Sequence, residues 1–437
     1  MNTIAIDCGA SFIKGALFVD GKLIKTISEE SSENRQDDIF VIQKITKCIK
    51  VVKRIIKELS RDISEANICF SNEMHGFILA YPDGKPYTDY ISWQRELISC
   101  IEVKKYLINK VNEQTFNEYI LHSGMPIRSG LPSSNLIWLS LNNSITKKVH
   151  FYTLGDYLIR VISNKEPFCH PTNAAATGLY DLTKGNWNRD YINSISNQEI
   201  VFPPIGYKTI SFCMNNKSYS VKPAIGDQQA ALLGSGFKSE SSLSFNIGTG
   251  AQVSRLIKTL NFGDYQIRPY FFNSYIKTIP HIPSGRALNI FFRFLKSVYI
   301  KIVPDIDDEK IWDLISTSFQ SNTNLNDKAL LKCDLSFFEN AVSKKTKGSI
   351  EKIDEYNFNI DNLIRSIFIQ MAKNFGKIAI KLNEDSKHPV ENIIFSGGFA
   401  KRWPALRKMI VKQVNLDVPV VLSDNDTLYG CNIYDKL

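Results

Sequence analysis

The chain has 437 residues, 43% of them hydrophobic and 22% charged, with a formal net charge of +9. At about 100–200 residues per domain this length holds two or three globular domains with a large core, and the balance excludes disordered, collagen-like and small disulfide-scaffold proteins. The opening MNTIAID lacks a basic stretch and an apolar run, and no ~18-residue uncharged apolar segment occurs anywhere, so the expectation is a cytoplasmic protein with no membrane partner.

Eight cysteines lie far apart without a CxxC pair, and six histidines form no HExxH, so neither a zinc site nor a disulfide framework is signalled and the thiols are expected to be reduced. The lysines are dispersed. Their densest run, Lys344-Lys345-Thr346-Lys347, has no interleaved aromatics, which argues against a nucleic-acid partner and leaves the positive balance to favour small anionic ligands.

In chain order, Thr3–Asp7 and Gly15–Val19 read as strands joined by the small-residue loop CGASFIK, and Asp20-Gly21 turns the chain into a third strand at Lys22–Ser28. Ile42, Ile45, Ile49, Val52, Ile56 and Leu59 recur at three- and four-residue steps and predict an amphipathic helix, with a further strand at Ile68–Ser71. Directly after it comes Glu73-Met74-His75-Gly76, and later Ile91–Glu96 with Trp93 and Arg95. These could line a pocket for a polyhydroxylated ligand; for a single histidine or tryptophan taken alone, a packed core residue is the commoner role.

AIGDQQAALLGSG places Asp227 at the start of an alanine-rich helix, either as a plain N-cap or as a base for a substrate hydroxyl. Around Leu243 the opening pattern returns in LSFNIGTGAQVSRLI, aligning Asp7 with Asn246 and Gly9 with Gly248. Ile364, Phe368, Met371, Phe375, Ile378 and Leu382 form a helical stripe. Glu391–Ser396 is a strand ending in Gly397-Gly398, and a helix over Trp403–Val414 follows. The chain thus reads as two related halves of mixed sheet and helix, divided near Lys222-Pro223.

Both small-residue turns can handle phosphate. Gly9, Ala10 and Ser11 let the backbone approach closely and offer N–H groups and a hydroxyl, and Asn246–Gly250 has the same capacity; a plain hairpin is the alternative for each. Neither is a Walker loop; Gly234-Ser-Gly-Phe-Lys-Ser looks superficially like one, but Phe237 stands where the glycine before the lysine of that motif belongs. Gly397-Gly398 would let a flat base or a phosphate lie against the backbone at a helix start.

In this order the segments resemble the FGGY family of carbohydrate kinases, within the superfamily of sugar kinases, heat-shock ATPases and actin, over essentially the whole chain. DCGASFIK looks like the first phosphate motif and Met74–Gly76 like a sugar-contact motif. Trp93 and Arg95 lie near the place of the family's Trp-x-Asp-x-Arg segment. NAAATGLYD (Asn173–Asp181) resembles the end of the N-terminal domain, IGDQQAALLG the catalytic-aspartate motif, NIGTGAQVS the second phosphate motif, and SGGFAKRWPAL the adenosine motif. Ala10 replaces a usual threonine, Glu73 a glutamine and Arg402 an asparagine, and SWQRE lacks the aspartate after Trp93. GTGAQ, Arg268-Pro269-Tyr270 and Ser284-Gly285-Arg286-Ala287 look most like the sedoheptulokinase-like branch.

The resemblance implies an α/β protein of two ribonuclease-H-like domains, the actin-like ATPase fold, with a central cleft. The N-terminal domain would span 1–222, with the sugar site and first phosphate motif; the C-terminal domain, 223–437, would carry the catalytic aspartate and the other nucleotide motifs. It further implies transfer of the γ-phosphoryl group of ATP to a hydroxyl of a ketose or polyol, sedoheptulose or xylulose among them. Asp227 is then the catalytic residue. ATP would meet Gly9, Ser11, Lys14, Gly248, Thr249, Gly250, Gly397, Gly398 and Arg402. The sugar would meet Met74, His75, Trp93, Arg95, Asp227 and Arg286, and Mg2+ would be held by Asp7 and Asp227. An actin-like or chaperone-like ATPase without sugar kinase activity is the other class left open, and a homodimer is compatible with either.

Overall fold

Apolar residues on alternate positions of the first thirty build the expected three-stranded antiparallel sheet. In the computed structural model Asn2–Cys8 pairs with Phe12–Val19, Asp7 opposite Lys14, and Phe12–Val19 pairs in turn with Lys22–Glu30. The described residues are 1–437 without 32–34, 38–39, 43, 197, 321–329, 344 and 424–425, so Lys344 of the basic run lies outside them.

The helix Ile45–Leu59 carries the chain back, burying Val51, Val52, Ile55, Ile56 and Leu59. It starts later than its apolar period suggests, because Ile42 belongs to a short strand, Phe40–Ile42. Glu65–Asn72 then lies parallel to Asn2–Cys8 on its free edge, with Asp7 opposite Ser71. Lys217–Val221 and Ile225–Gly226 pair parallel with that strand, and Ile210–Met214 closes the edge. A second core, around Phe77, Phe151, Trp187 and Phe202, packs the helical insertion between these strands.

The chain forms two compact units: one of residues 1–236, 258–275 and 425–437, the other of 237–257 and 276–424. It does not divide at the single point expected near 222/223. Ile225–Gly226 is tied to Ser71 and Asn72, and the helix Asp227–Gly234 receives the C-terminal helix Asp426–Asp435 so closely that a Cβ on Gly430 would stand 1.9 Å from the Ala230 carbonyl oxygen. Asp227 therefore belongs to the first unit.

In the second unit Ser242–Ile247 pairs antiparallel with Ala251–Ile257, and Asn392–Ser396 lies parallel on its other side with Asn246 opposite Ser396. Val420–Leu422 extends the sheet beyond, and Tyr275–Pro280 flanks Ala251–Ile257. The helix Ile360–Asn383 buries the predicted stripe from Ile364 to Leu382, Phe375 meeting Phe245 edge to face. The internal repeat is thus topological. Each unit has a strand, a small-residue turn, an antiparallel return and a parallel neighbour that sets a serine, Ser71 or Ser396, opposite the residue at the strand end.

Candidate active site

The first turn is held from within. The Gly9 N–H donates to the Phe12 carbonyl at 3.1 Å, while Ser31 donates its N–H to the Ser11 carbonyl at 3.0 Å and its hydroxyl to that of Ala10 at 2.5 Å. Ser11 and Lys14 project into solvent. Behind this turn lies Asp7, whose carboxyl is pushed up to about 7 by burial and by the charge of Asp227, against the pull of Lys14 and of the Ser71 hydroxyl 3.2 Å away.

Asp227 is the first residue of its helix rather than the cap, a place taken by Gly226. Its carboxylate accepts the Gln228 N–H at 2.7 Å; burial lifts it to about 6, with that bond and the Arg268 charge holding back the rise. Arg268, which sequence reasoning missed as a site residue, is buried and donates to the Gln228 and Gln266 side-chain oxygens, and burial lowers it to about 10. The signal available for it was one arginine inside the apolar strand Gln266–Pro269.

Glu73 sits beside this pair. It is 4% exposed, and burial raises it to about 7; Tyr90 and Trp93 restrain that rise, outside ordinary hydrogen-bond geometry, and the charges of Asp227 and Asp7 add to it. Met74 is buried against Gly226, where a Cβ would stand 2.6 Å from the Met74 sulfur. His75 has φ +66°, and its Nδ1–H donates to the Ala176 carbonyl at 2.7 Å, which fixes the tautomer. Trp93 is 41% exposed on a backbone that Gly130 alone can approach, since a Cβ at 130 would stand 2.1 Å from the Trp93 carbonyl oxygen. Arg95 closes the same turn, its N–H donating to Ser92, and burial lowers its guanidinium against the charge of Asp89. Asp7, Glu73, Met74, Trp93 and Asp227 are therefore gathered within the first unit, with His75 and Arg95 on the adjoining loops.

The second unit carries the other turn. The Gly248 N–H donates to the Gly250 carbonyl at 3.0 Å, and the helix Gly285–Tyr299 staples the turn through Gly285 to Gly248 at 3.2 Å and Arg286 to Thr249 at 2.9 Å. Thr249 and Gly250 are exposed, and nothing lies within 4 Å of a Cβ at Gly250. Arg286, expected among the sugar contacts, stands in this unit beside Thr249, 4.2 Å over the Phe338 ring. Gly397 has φ +92°, and a Cβ there would meet the Ile247 carbonyl oxygen at 2.5 Å, whereas Gly398 faces open space. Arg402 pairs with Glu309 at 2.7 Å and stands 5.5 Å over Trp312.

Residues 2–234 match the profile of the FGGY family of carbohydrate kinases, N-terminal domain. A xylulose kinase of Lactococcus lactis subsp. lactis is 26% identical over 289 residues, 62% of this chain and 56% of that protein. A glycerol kinase of Marinomonas sp. is 25% identical over 287 residues, 61% of this chain and 56% of that protein. The chain spans little more than half the length of these relatives. The crystal structure of xylulose kinase from Rhodospirillum rubrum superimposes with a TM-score of 0.84 at 14% identity, over 100% of this chain and 89% of that one. The fold is the α/β actin-like ATPase fold that the family resemblance implied. With more than half of its length matched by one family's profile, the chain belongs to the FGGY family of carbohydrate kinases.

Proposed function

We propose that the protein is an ATP-dependent carbohydrate kinase that transfers the γ-phosphoryl group of ATP to a hydroxyl of a ketose or polyol. The observation that carries this reading is Asp227, a carboxyl lifted to about 6 at the start of a helix, next to Asp7 behind a phosphate-binding turn. A base of that strength accepts the proton of the attacking hydroxyl near neutral pH. Phosphoryl transfer passes through a loose transition state in most analyses, so positioning and charge neutralisation supply most of the acceleration.

In this reading Gly9, Ser11 and Lys14 hold phosphate oxygens in the first unit, and Gly248, Thr249 and Gly250 do so in the second. Gly397 and Gly398 take the adenosine, with Arg402 beside them. Arg286, stapled to Thr249, fits phosphate better than sugar. Asp7 and Asp227 offer hard oxygen ligands whose neighbouring charges favour a cation, which fits Mg2+. Bound there, it would neutralise charge on the phosphates. A cytoplasmic location, where ATP is supplied, fits this reading.

For the acceptor, Met74 and Trp93 offer apolar surface while His75 and Arg95 offer polar contacts. A short polyol would leave some of these groups unpaired, at roughly 1–3 kcal/mol for each buried one, so ketoses of five to seven carbons, xylulose and sedoheptulose among them, suit the pocket better than glycerol. The xylulose kinases among the relatives support the five-carbon end of that range, and the glycerol kinases among them make glycerol the competing acceptor.

A coupled assay of ADP release over xylulose, ribulose, sedoheptulose and glycerol tests this. The ketoses should give the higher kcat/KM, and Asp227→Asn should keep nucleotide affinity while losing turnover by ~10²–10⁴-fold. ADP release that no sugar stimulates would make the protein an ATPase of the other class, and unchanged turnover in Asp227→Asn would remove it as the base.

A further inference from the structure

The loop that carries His75 and the strand that leads to Asp227 are both bonded to one short helical turn, Pro171–Ala175, that none of the chemistry above uses. Its polar groups are deeply buried, with His170, Thr172 and Asn173 at most 2% exposed. The direction of each bond can be worked out. The Thr172 N–H donates to His170 Nδ1 at 3.2 Å, so that nitrogen carries no proton. The Thr172 hydroxyl, 2.8 Å from the same nitrogen, must then be a donor to it, which turns its lone pairs to the Gly226 N–H at 3.1 Å. Gly226 is the residue before Asp227.

The neighbouring residues complete a frame. Asn173 Nδ2 donates to the Ala224 carbonyl and to Asn72 Oδ1, each at 2.9 Å, and Asn72 Nδ2 donates to the Glu73 carbonyl at 2.7 Å. The Ala176 carbonyl receives His75. There is no slack around it, because a Cβ on Gly155 would stand 2.3 Å from the Ala224 Cβ and 2.4 Å from Asn72 Oδ1.

We propose that Thr172 is a positioning residue for the phosphoryl-transfer step, holding the Gly226 peptide and through it the Asp227 carboxylate against the frame that also fixes His75. This rests on the reading of Asp227 as the base. Thr172 is only 1% exposed and so shielded from a bound substrate, and it acts on turnover and not on nucleotide binding. A displacement of about 1 Å in such a group can cost ~100-fold.

The test compares Thr172→Val, Thr172→Ser, Asp227→Asn and the Thr172→Val/Asp227→Asn double variant, all in the full chain with the best sugar. Thr172→Val should lower kcat about 10- to 100-fold with the KM for ATP unchanged, and Thr172→Ser should recover most of it. The double variant should be no slower than Asp227→Asn, because Thr172 works through that carboxylate. A Thr172→Val enzyme with parental kcat, or losses that multiply in the double variant, overturns the inference while Asp227 stands as the base. Parental turnover in Asp227→Asn overturns the base itself. Where the valine variant does not fold, Thr172→Cys keeps the volume with a weaker acceptor. A fall in kcat at constant KM then supports the inference, and parental kcat refutes it.

Discussion

A carboxyl group is cheaper to bury protonated than charged, and Glu73 is buried where that choice falls near neutral pH. Its pKa rises from 4.5 to about 7. Because the folded form binds the proton more tightly, the stability tied to this group is fully present below pH 4.5 and is lost as pH rises through 7. Glu73→Gln removes the titration, so the variant should exceed the parent by up to about 3 kcal/mol at pH 8, with the gain shrinking towards pH 5. Urea midpoints of the two proteins at both pH values measure this, and an equal gain at both would show that Glu73 does not carry the titration. At this scale the sequence was readable where a residue type sits in a patterned segment. Asp7 closes an apolar strand and Asp227 opens an alanine-rich helix, so both could be singled out. Arg268, Tyr90 and Thr172 could not, since their surroundings come from segments up to 140 residues away in the chain.

The two elements ending in glycines separate packing from binding. Gly397 needs its left-handed φ and leaves 2.5 Å between a Cβ and the Ile247 carbonyl oxygen, so Gly397→Ala should cost at least ~2 kcal/mol of stability. Gly398 has nothing near it, and Gly398→Val should fold with a melting temperature close to the parent's while weakening ATP binding tenfold or more, as titration calorimetry would show. Normal ATP affinity in the folded Gly398→Val protein would move the adenosine site elsewhere. Element types were legible from period and turn chemistry, and their ends less so. The helix expected over Trp403–Val414 forms as Pro404–Val414, but it does not follow the glycines directly: a five-residue turn, Gly398–Arg402, comes first, and Trp403, at φ -121° and ψ 85°, separates the two. Proline announces such a break, but the short turn in front of it rests on the backbone of Gly397.

Across the whole chain, the order of segments in sequence is not their order in the units. The helix Asp426–Asp435 completes the first unit: Asp435 accepts from Thr3 at 2.6 Å and Asn67 at 3.1 Å, and Lys222 donates to the Tyr434 and Asp435 carbonyls. Local pattern cannot reveal a partner more than 400 residues away, which is why a boundary at 222/223 looked natural. Gly430→Ala puts a carbon into the Ala230 carbonyl and should cost ~3 kcal/mol or more. Ala230 lies in the helix that begins with Asp227, so turnover should fall along with stability. An unfolding curve superimposable on the parent's would contradict the close packing of these two helices.

That late return has a consequence for how the protein is made. A ribosome delivers residues 1–236 and then roughly 190 more before it reaches the helix that finishes the first unit. At about 5–20 residues per second the interval is on the order of ten to forty seconds. Throughout it Phe18 lacks the Tyr429 ring that covers it, and the backbone of Ala230 lacks its neighbour. The nascent chain therefore carries an unfinished apolar seat for roughly two-fifths of its synthesis. A holding chaperone would find its longest opportunity there, and a stalled ribosome its most aggregation-prone cargo.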